Sequence, residues 1–424
     1  MTLTCSDVQA ISYSLSPAGW AACKVLRRLW PGCLLTGLNG LRLSQVPVPE
    51  LPGDKWVRVR TLMAGVCGTD LALIAQRQPP DSILQAYSSL PAILGHENVA
   101  VVDQVGPAVD GSWLGRRVCV DPTLCCRVRQ IEPLCSRCAR GQHGACENFA
   151  AAGQGRARLP AGTSIGYNSR TGGAFGEYFV AHESQLVAVP DKLTDEQAVL
   201  TDPVACALHA ALRVDLSEAR CILVYGTGAL GLGVVAGLRA LGYTGRIDAL
   251  DRAGYLDPIA RGLGADEFLR LPGDAGGRFE AIAARTGGRV HRVRFGNYML
   301  SGGYDAVFDC VGSQRSINES LKWARSRGQI ALIGTGHGGR IDLTPLWFTE
   351  LTMIGAYGRE MEEYQGRRIS TYRLVHELML AGKLPVAGLL THMFRLMDYR
   401  KAFEVGLNKG RHRAVKVAFD LRTA

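Results

Sequence analysis

Several things are missing from this 424-residue chain, and each absence excludes something. No stretch of about 18 uncharged apolar residues occurs, so no membrane-spanning helix is expected. The opening residues, MTLTCSDVQA, lack the basic stretch of a secretory signal, and a cytoplasmic location is expected. Charged residues make up only 20% of the chain, and no dense Lys/Arg run occurs although the net charge is +10. Scattered basic residues suit a solvated surface better than a nucleic-acid footprint. Neither a nucleic-acid nor a membrane partner is expected. No internal repeat is visible. The 13 cysteines are an odd number with no secretion signal, which points away from a disulfide framework and toward reduced thiols and metal sites.

Hydrophobic residues form 47% of the chain, enough for packed cores, and the length suits two domains rather than one. Residues 1–40 read as an extension, with SLSPAGWAACKVLRRLW as a short amphipathic helix. Residues 41–204 are rich in short β-prone runs such as KWVRVRTLMAGV and NVAVVDQVG, separated by Pro and Gly. Over 205–357 the rhythm becomes strand–helix: CILVYG, ALGLGVVAGLRALG, RIDALD, DPIARGLGA, YDAVFDCVG, NESLKWAR and GQIALIG. That alternation predicts an α/β fold with a doubly wound parallel sheet. The stretch from Leu271 to Ser301 is longer than such a unit needs and reads as an insertion. Residues 358–424 return with helices and a last strand, AVKVAFD.

CILVYGTGALGLG carries Gly226-x-Gly228-x-x-Gly231 between a strand and a helix. Gly226 permits the tight turn, Gly228 lets backbone approach a pyrophosphate, and Gly231 lets helix pack on strand. Ala229 and Leu230 open the helix whose N-terminus would face the anion. Asp251 ends the next strand, 25 residues after Gly226. A carboxylate there accepts the hydroxyls of an adenosine ribose and repels a 2′-phosphate. NAD is therefore expected, while the neighbouring Arg252 leaves NADP open.

Thiol, imidazole and carboxylate side chains recur as short clusters: Cys67-Gly68-Thr69-Asp70, Gly95-His96-Glu97 and Thr201-Asp202-Pro203. These are zinc-ligand types, and three protein ligands leave a position open. Together with DPVACALHA at 202–210, GTGALG at 226–231, DCVG at 309–312 and GKL at 382–384, they carry a resemblance. Over roughly residues 41–424 the sequence resembles the zinc-dependent medium-chain dehydrogenase/reductase superfamily (the alcohol dehydrogenase superfamily). It is most similar to the polyol, sugar and threonine dehydrogenase branch.

The resemblance implies a GroES-like catalytic domain from 41–204 and 358–424, a Rossmann domain, and an active-site cleft between them. It implies Cys67 and His96 as catalytic zinc ligands, with Glu97 joining or alternating. Asp202 stands where the branch carries Glu and would bind directly or through water. Asp70 would orient His96, and Thr69 would pass on the alcohol proton. Val311 and Gly312 belong to the cofactor loops. The onward relay His of relatives is replaced by Ala72. Hydride would pass from a secondary alcohol (a polyol, sugar or amino-alcohol) to the nicotinamide. A homodimer or homotetramer joined near Thr352–Gly358 is also implied. The alternatives are a zinc-free enone or quinone reductase of the same superfamily, and a non-catalytic cofactor-binding protein.

Cys135-x2-Cys138-x7-Cys146 matches three ligands of the family's structural zinc, within a lobe at 125–146. The usual first cysteine is Glu132 here. Cys126, or Cys125, would close a four-thiolate site, and Glu132 or His143 are the other candidates. Cys5, Cys23, Cys33, Cys206, Cys221 and Cys310 have no partner pattern and read as core thiols.

Overall fold

The structure, a computed structural model, describes residues 7–79, 81–336 and 339–422. The chain divides into two compact units. One comprises Met1–Asp202, Arg359–His376 and Leu389–Ala424, the other Pro203–Gly358 and Glu377–Gly388.

The first unit is built on a seven-stranded sheet. Its central strand, Trp56–Gly65, pairs antiparallel with Glu97–Val105, Tyr178–His182 and Lys416–Asp420. Trp56, Val57, Val59, Met63 and Ala64 along it are fully buried, so this is a strand covered on both faces rather than a half-exposed one. Phe175 packs on Phe403 and Phe419 with ring centroids 5.9 and 5.0 Å apart. That ties the β-rich N-terminal half to the last helix and strand. Each such buried aromatic contributes about 1.5–3 kcal/mol.

A second sheet in this unit takes in part of the 1–40 extension, which packs on the body of the unit. Val8–Tyr13 pairs antiparallel with Leu41–Val46 and with Ala92–Ile93. Ala10, Ile11 and Tyr13 are at most 1% exposed. The six-residue run carries too little alternation to announce itself, and its partners lie far along the chain. The predicted helix is there, Pro17–Leu26, with Ser16 Oγ accepting from the Gly19 amide at 3.3 Å, an N-cap with Pro at the first turn. Of the thiols read as core, Cys23 and Cys33 are buried, but Cys206, Cys221 and Cys310 are partly exposed. Cys5 lies outside the described residues.

The second unit is a six-stranded, wholly parallel sheet. Its spatial order is Glu267–Leu269, Arg246–Leu250, Cys221–Tyr225, Tyr304–Asp309, Ala324–Leu332, Thr352–Gly355. In chain order that is 3-2-1-4-5-6, the doubly wound arrangement with its crossover beside the strand Cys221–Tyr225. The 271–301 stretch is partly core. Helix Ala275–Thr286 buries Phe279, Ile282 and Ala283 on one face, against Leu300, Tyr304 and Trp323. The hairpin Arg289–Val293 with Asn297–Ser301 follows, its Leu300 in that core and its turn at Phe295 fully exposed.

Candidate metal centre and dinucleotide loop

The strand Trp56–Gly65 delivers Cys67 to the start of helix Gly68–Ile74, and the next strand begins at Glu97, opposite Gly65 in register. Residues 30 positions apart are thus brought side by side by one antiparallel pairing. The ligand atoms of Cys67, His96 and Glu97 all lie within 4.8 Å of one another. His96 is 8% and Glu97 1% exposed. Burial works against a charged imidazole. The Cys67, Asp70 and Asp202 charges nevertheless raise the His96 pKa to about 10.

Several side chains orient this group. Asp70 is fully buried, accepts from the Cys67 amide at 3.0 Å and from the Tyr167 phenol at 2.8 Å, and its Oδ1 lies 3.8 Å from His96 Nδ1. Tyr167 packs on the His96 ring at 5.7 Å and also interacts with Thr69. Lys416, 3% exposed, forms an ion pair with Glu97. Gly65 makes room for that pair. A Cβ there would fall 2.1 Å from Glu97 Oε2 and 3.1 Å from Lys416 Cε. Tyr167 and Lys416 carry no local sequence signal, because neither lies within a motif nor beside one.

Asp202 departs from the expectation. Its Oδ1 is 2.9 Å from the Arg359 guanidinium and accepts from Tyr372 at 2.5 Å. It lies outside the converging trio. Arg359 also reaches Asp121 at 3.3 Å. A buried arginine and a phenol hold Oδ1 of this carboxylate, one methylene shorter than Glu, and its charge contributes to the field at His96.

The cysteine lobe closes on four sulfurs. Cys126, Cys135, Cys138 and Cys146 lie with all Sγ atoms within 4.8 Å of one another. Cys126 and Cys146 Sγ are 3.6 Å apart, and Asn148 donates to both, through Nδ2 at 3.1 Å and its amide at 3.4 Å. The Cys138 amide donates to Cys135 Sγ at 3.4 Å. Burial pushes the Cys135 thiol up, but the Cys138 and Glu147 amides bring it down to about 7. Amide donation to sulfur and four converging thiols fit a closed tetrahedral site. Cys125, Glu132 and His143 are outside the four.

In the second unit the glycine loop joins strand Cys221–Tyr225 to helix Ala229–Ala240. Gly226 has φ +91°, and a Cβ there would sit 2.4 Å from Val311 Cγ2. A Cβ on Gly231 would meet the Gly226 carbonyl at 1.9 Å, whereas at Gly228 nothing lies within 4 Å. The turn is closed on its protein side and open on the side where a pyrophosphate would approach. Asp251 accepts from the Thr227 amide at 2.9 Å and the Ala253 amide at 3.1 Å, which ties the second strand's end to the loop. Asp309 accepts from the Val311 and Gly312 amides, both at 2.9 Å. Val311, 44% exposed, therefore lies beside the loop.

Comparison with known proteins agrees with this architecture. Residues 53–191 match the alcohol dehydrogenase GroES-like domain, and residues 229–371 match the zinc-binding dehydrogenase family. The chain is 26% identical to an L-idonate 5-dehydrogenase of Vitis vinifera over 91% of this chain and 93% of that one. It is 26% identical to an L-threonine 3-dehydrogenase of Legionella pneumophila over 86% and 93%. A solved Escherichia coli alcohol dehydrogenase complexed with NADH shares the fold at TM-score 0.73 and 20% identity, covering 98% of this chain and 100% of that one. With both domain families matched in order along one chain, the protein belongs to the medium-chain dehydrogenase/reductase superfamily of zinc-binding alcohol dehydrogenases.

Proposed function

We propose that the protein is a zinc-dependent, NAD(P)-linked dehydrogenase of a secondary alcohol, namely a polyol, sugar or amino-alcohol. One observation carries the reading: a thiol, an imidazole and a carboxylate, the last two buried, converge within 4.8 Å. That donor set fits zinc with a position left open. When bound, zinc supplies the Lewis acidity that eases loss of a substrate hydroxyl proton. Cys67, His96 and Glu97 hold it, and Asp70 fixes the imidazole. Lys416 competes for Glu97 and so sets how freely that carboxylate can move toward or away from the metal. The Thr69 hydroxyl would take the substrate hydroxyl's proton while passing its own to the Tyr167 phenol, whose O–H in turn donates to the Asp70 carboxylate. Ala72, buried, offers no onward group, so the proton leaves by another path.

The second zinc belongs to Cys126, Cys135, Cys138 and Cys146, where it ties the lobe together. Gly226, Gly228 and Gly231 with the Ala229–Ala240 helix hold the pyrophosphate, and Asp251 selects NAD over NADP by charge. Support for the substrate class comes from relatives named for idonate and threonine. The protein assembles as a homodimer or homotetramer. Thr352–Gly355 ends the sheet as an edge strand, and Trp347 and Phe348 nearby are 69% and 70% exposed.

Metal analysis with NAD and NADP reduction across a panel of polyols, sugars and amino-alcohols tests this. Two zinc ions per chain are expected, falling to one in Cys67→Ala with loss of alcohol oxidation. A zinc-free protein, or unchanged turnover in Cys67→Ala, refutes it.

A further inference from the structure

The hairpin of Arg289–Val293 with Asn297–Ser301 is anchored at its base and bare at its tip. Leu300 is buried in the core of the second unit, and Val290 and Tyr298 pack against that core. The Tyr298 ring stacks on Phe279 at 5.5 Å. Lys322 donates to Asn297 Oδ1 at 2.7 Å and so ties the turn to the helix Gln314–Trp323. Beyond these anchors Val293 and Phe295 are exposed, Phe295 fully so. Phe295 also has φ +62°, a left-handed backbone that a bulky side chain rarely adopts. A rigid arm thus holds an aromatic ring out in solvent, at a conformational cost.

The tip has apolar company at the same end of the sheet. All six strands run parallel, so those starting at Tyr304, Ala324 and Thr352 begin at one end. The hairpin leads into the strand at Tyr304. Leu343, Trp347 and Phe348, all exposed, lead toward the strand at Thr352. The Trp347 and Phe348 rings meet edge to face at 5.9 Å. Lys322 links the two segments, because it also pairs with Asp342 at 3.3 Å. Thr352–Gly355 is the edge of the sheet, with no strand on its outer side among the described residues. Natural sheets cover such edges, and exposed apolar patches beside them mark interaction surfaces.

We propose that the 289–301 hairpin is a dimerisation arm: in a dimer paired through Thr352–Gly355, it lays Phe295 against a second copy of this chain. The inference rests on the assembly through this edge stated above and adds the arm to it. The edge itself favours a second copy. Identical edge strands paired across a two-fold axis run antiparallel. The Trp347–Phe348 end of one strand then meets the other's far end, where Tyr357 is exposed just beyond Gly355. Rings thus face rings on both sides of the axis, as at the centre of a protein interface. A lipid surface or a nucleic acid cannot complete a strand's backbone ladder. The arm is long enough: five residues span about 16 Å, against about 10 Å from its own strand to the sheet edge, two strands away. Anchored before association, it loses little freedom on binding.

Sedimentation velocity of the full-length protein over a concentration series tests this. The variants are Phe295→Asp, Phe295→Gly and Trp347→Asp, with Leu29→Asp as a control at an exposed apolar residue of the first unit. The wild type is expected to form a dimer whose dissociation constant rises at least tenfold in both Phe295 variants and in Trp347→Asp, and is unchanged in Leu29→Asp. Phe295→Gly removes the ring but suits the left-handed backbone, so its circular dichroism should stay that of the wild type. A dimer that both Phe295 variants leave intact overturns the arm, and if Trp347→Asp still weakens it the assembly itself stands. A monomer at every concentration overturns arm and assembly together, while the zinc and turnover measurements judge the dehydrogenase reading separately. Co-sedimentation of the wild type, but not of Phe295→Asp, with phosphatidylserine vesicles assigns the tip to a lipid surface and also overturns the proposal.

Discussion

Glu97 shows how much one residue's neighbours decide. Its carboxylate is 1% exposed and paired with Lys416, itself 3% exposed. Removing one member of a buried pair leaves an uncompensated charge and costs about 3–5 kcal/mol. Lys416→Met should therefore destabilise the metal-free first unit by about that amount in denaturant titrations. Adding Glu97→Gln to Lys416→Met should recover a large part of the loss, and additive losses would show that the two groups do not interact. The same reasoning separates the adjacent thiols. Cys126 belongs to the converging four, Cys125 does not. Cys126→Ser is expected to release one zinc per chain and lower the melting temperature of the first unit, and Cys125→Ser to retain full zinc. The sequence leaves Cys126 and Cys125 both open as the fourth thiolate. Asp202 is legible as an acid near the site, but not as the partner of Arg359, which lies 157 positions away.

Among the elements, the strand–loop–helix at 221–240 is the most legible, since its defining signals are local: strand, three glycines and helix follow one another directly. Its glycines are not equivalent. Gly231→Ala drives a methyl into the Gly226 carbonyl at 1.9 Å, while Gly228→Ala points into open space. Gly231→Ala is expected to unfold or shift the loop, lowering the second unit's melting temperature by several degrees. Gly228→Ala is expected to keep that temperature and weaken NADH binding at least tenfold, read by fluorescence titration. Equal effects on stability would contradict the geometry. The strand Val8–Tyr13 and the hairpin of Met361–Tyr364 with Arg367–Ser370 are not legible. The first is fixed by pairing with residues 41–46 and 92–93. The hairpin is fixed by a Met361 amide bond to the Gly141 carbonyl at 3.1 Å. Strands of four to six residues depend on such distant partners.

Over the whole molecule, buried histidines set a pH response. His376, 3% exposed, bonds Thr201 Oγ1 at 3.0 Å. Burial lowers its pKa from 6.5 to about 4, with Arg117 adding to the effect. Above pH 6.5 neither the folded nor the unfolded state binds the proton, and the stability is intact. Between pH 6.5 and 4 the unfolded chain binds it first, so stability falls as pH falls. At pH 5 the loss is about 2 kcal/mol relative to pH 7, because one proton bound only by the unfolded chain costs about 1.4 kcal/mol for each pH unit below 6.5. His182, whose pKa burial also lowers to about 4, adds a similar loss, so His376→Gln should remove about half of the combined difference in denaturant titrations, and an unchanged slope would assign it elsewhere. NADH should raise the second unit's transition, by about 2.7 kcal/mol at a hundredfold excess over its Kd.

The sequence by itself determined the two kinds of architecture, the glycine loop with Asp251 at the end of the next strand, the Cys67 and His96–Glu97 clusters and the cysteine lobe. Each of these is written in residues close along the chain, where spacing alone constrains chemistry. Only the tertiary structure decided that Glu97 is held by Lys416, that Tyr167 rather than a histidine stands beside Thr69, and that Arg359 and Tyr372 take Asp202. Those partners are set by strand register and by burial across tens to hundreds of residues, and no local pattern records which side chains such packing brings face to face.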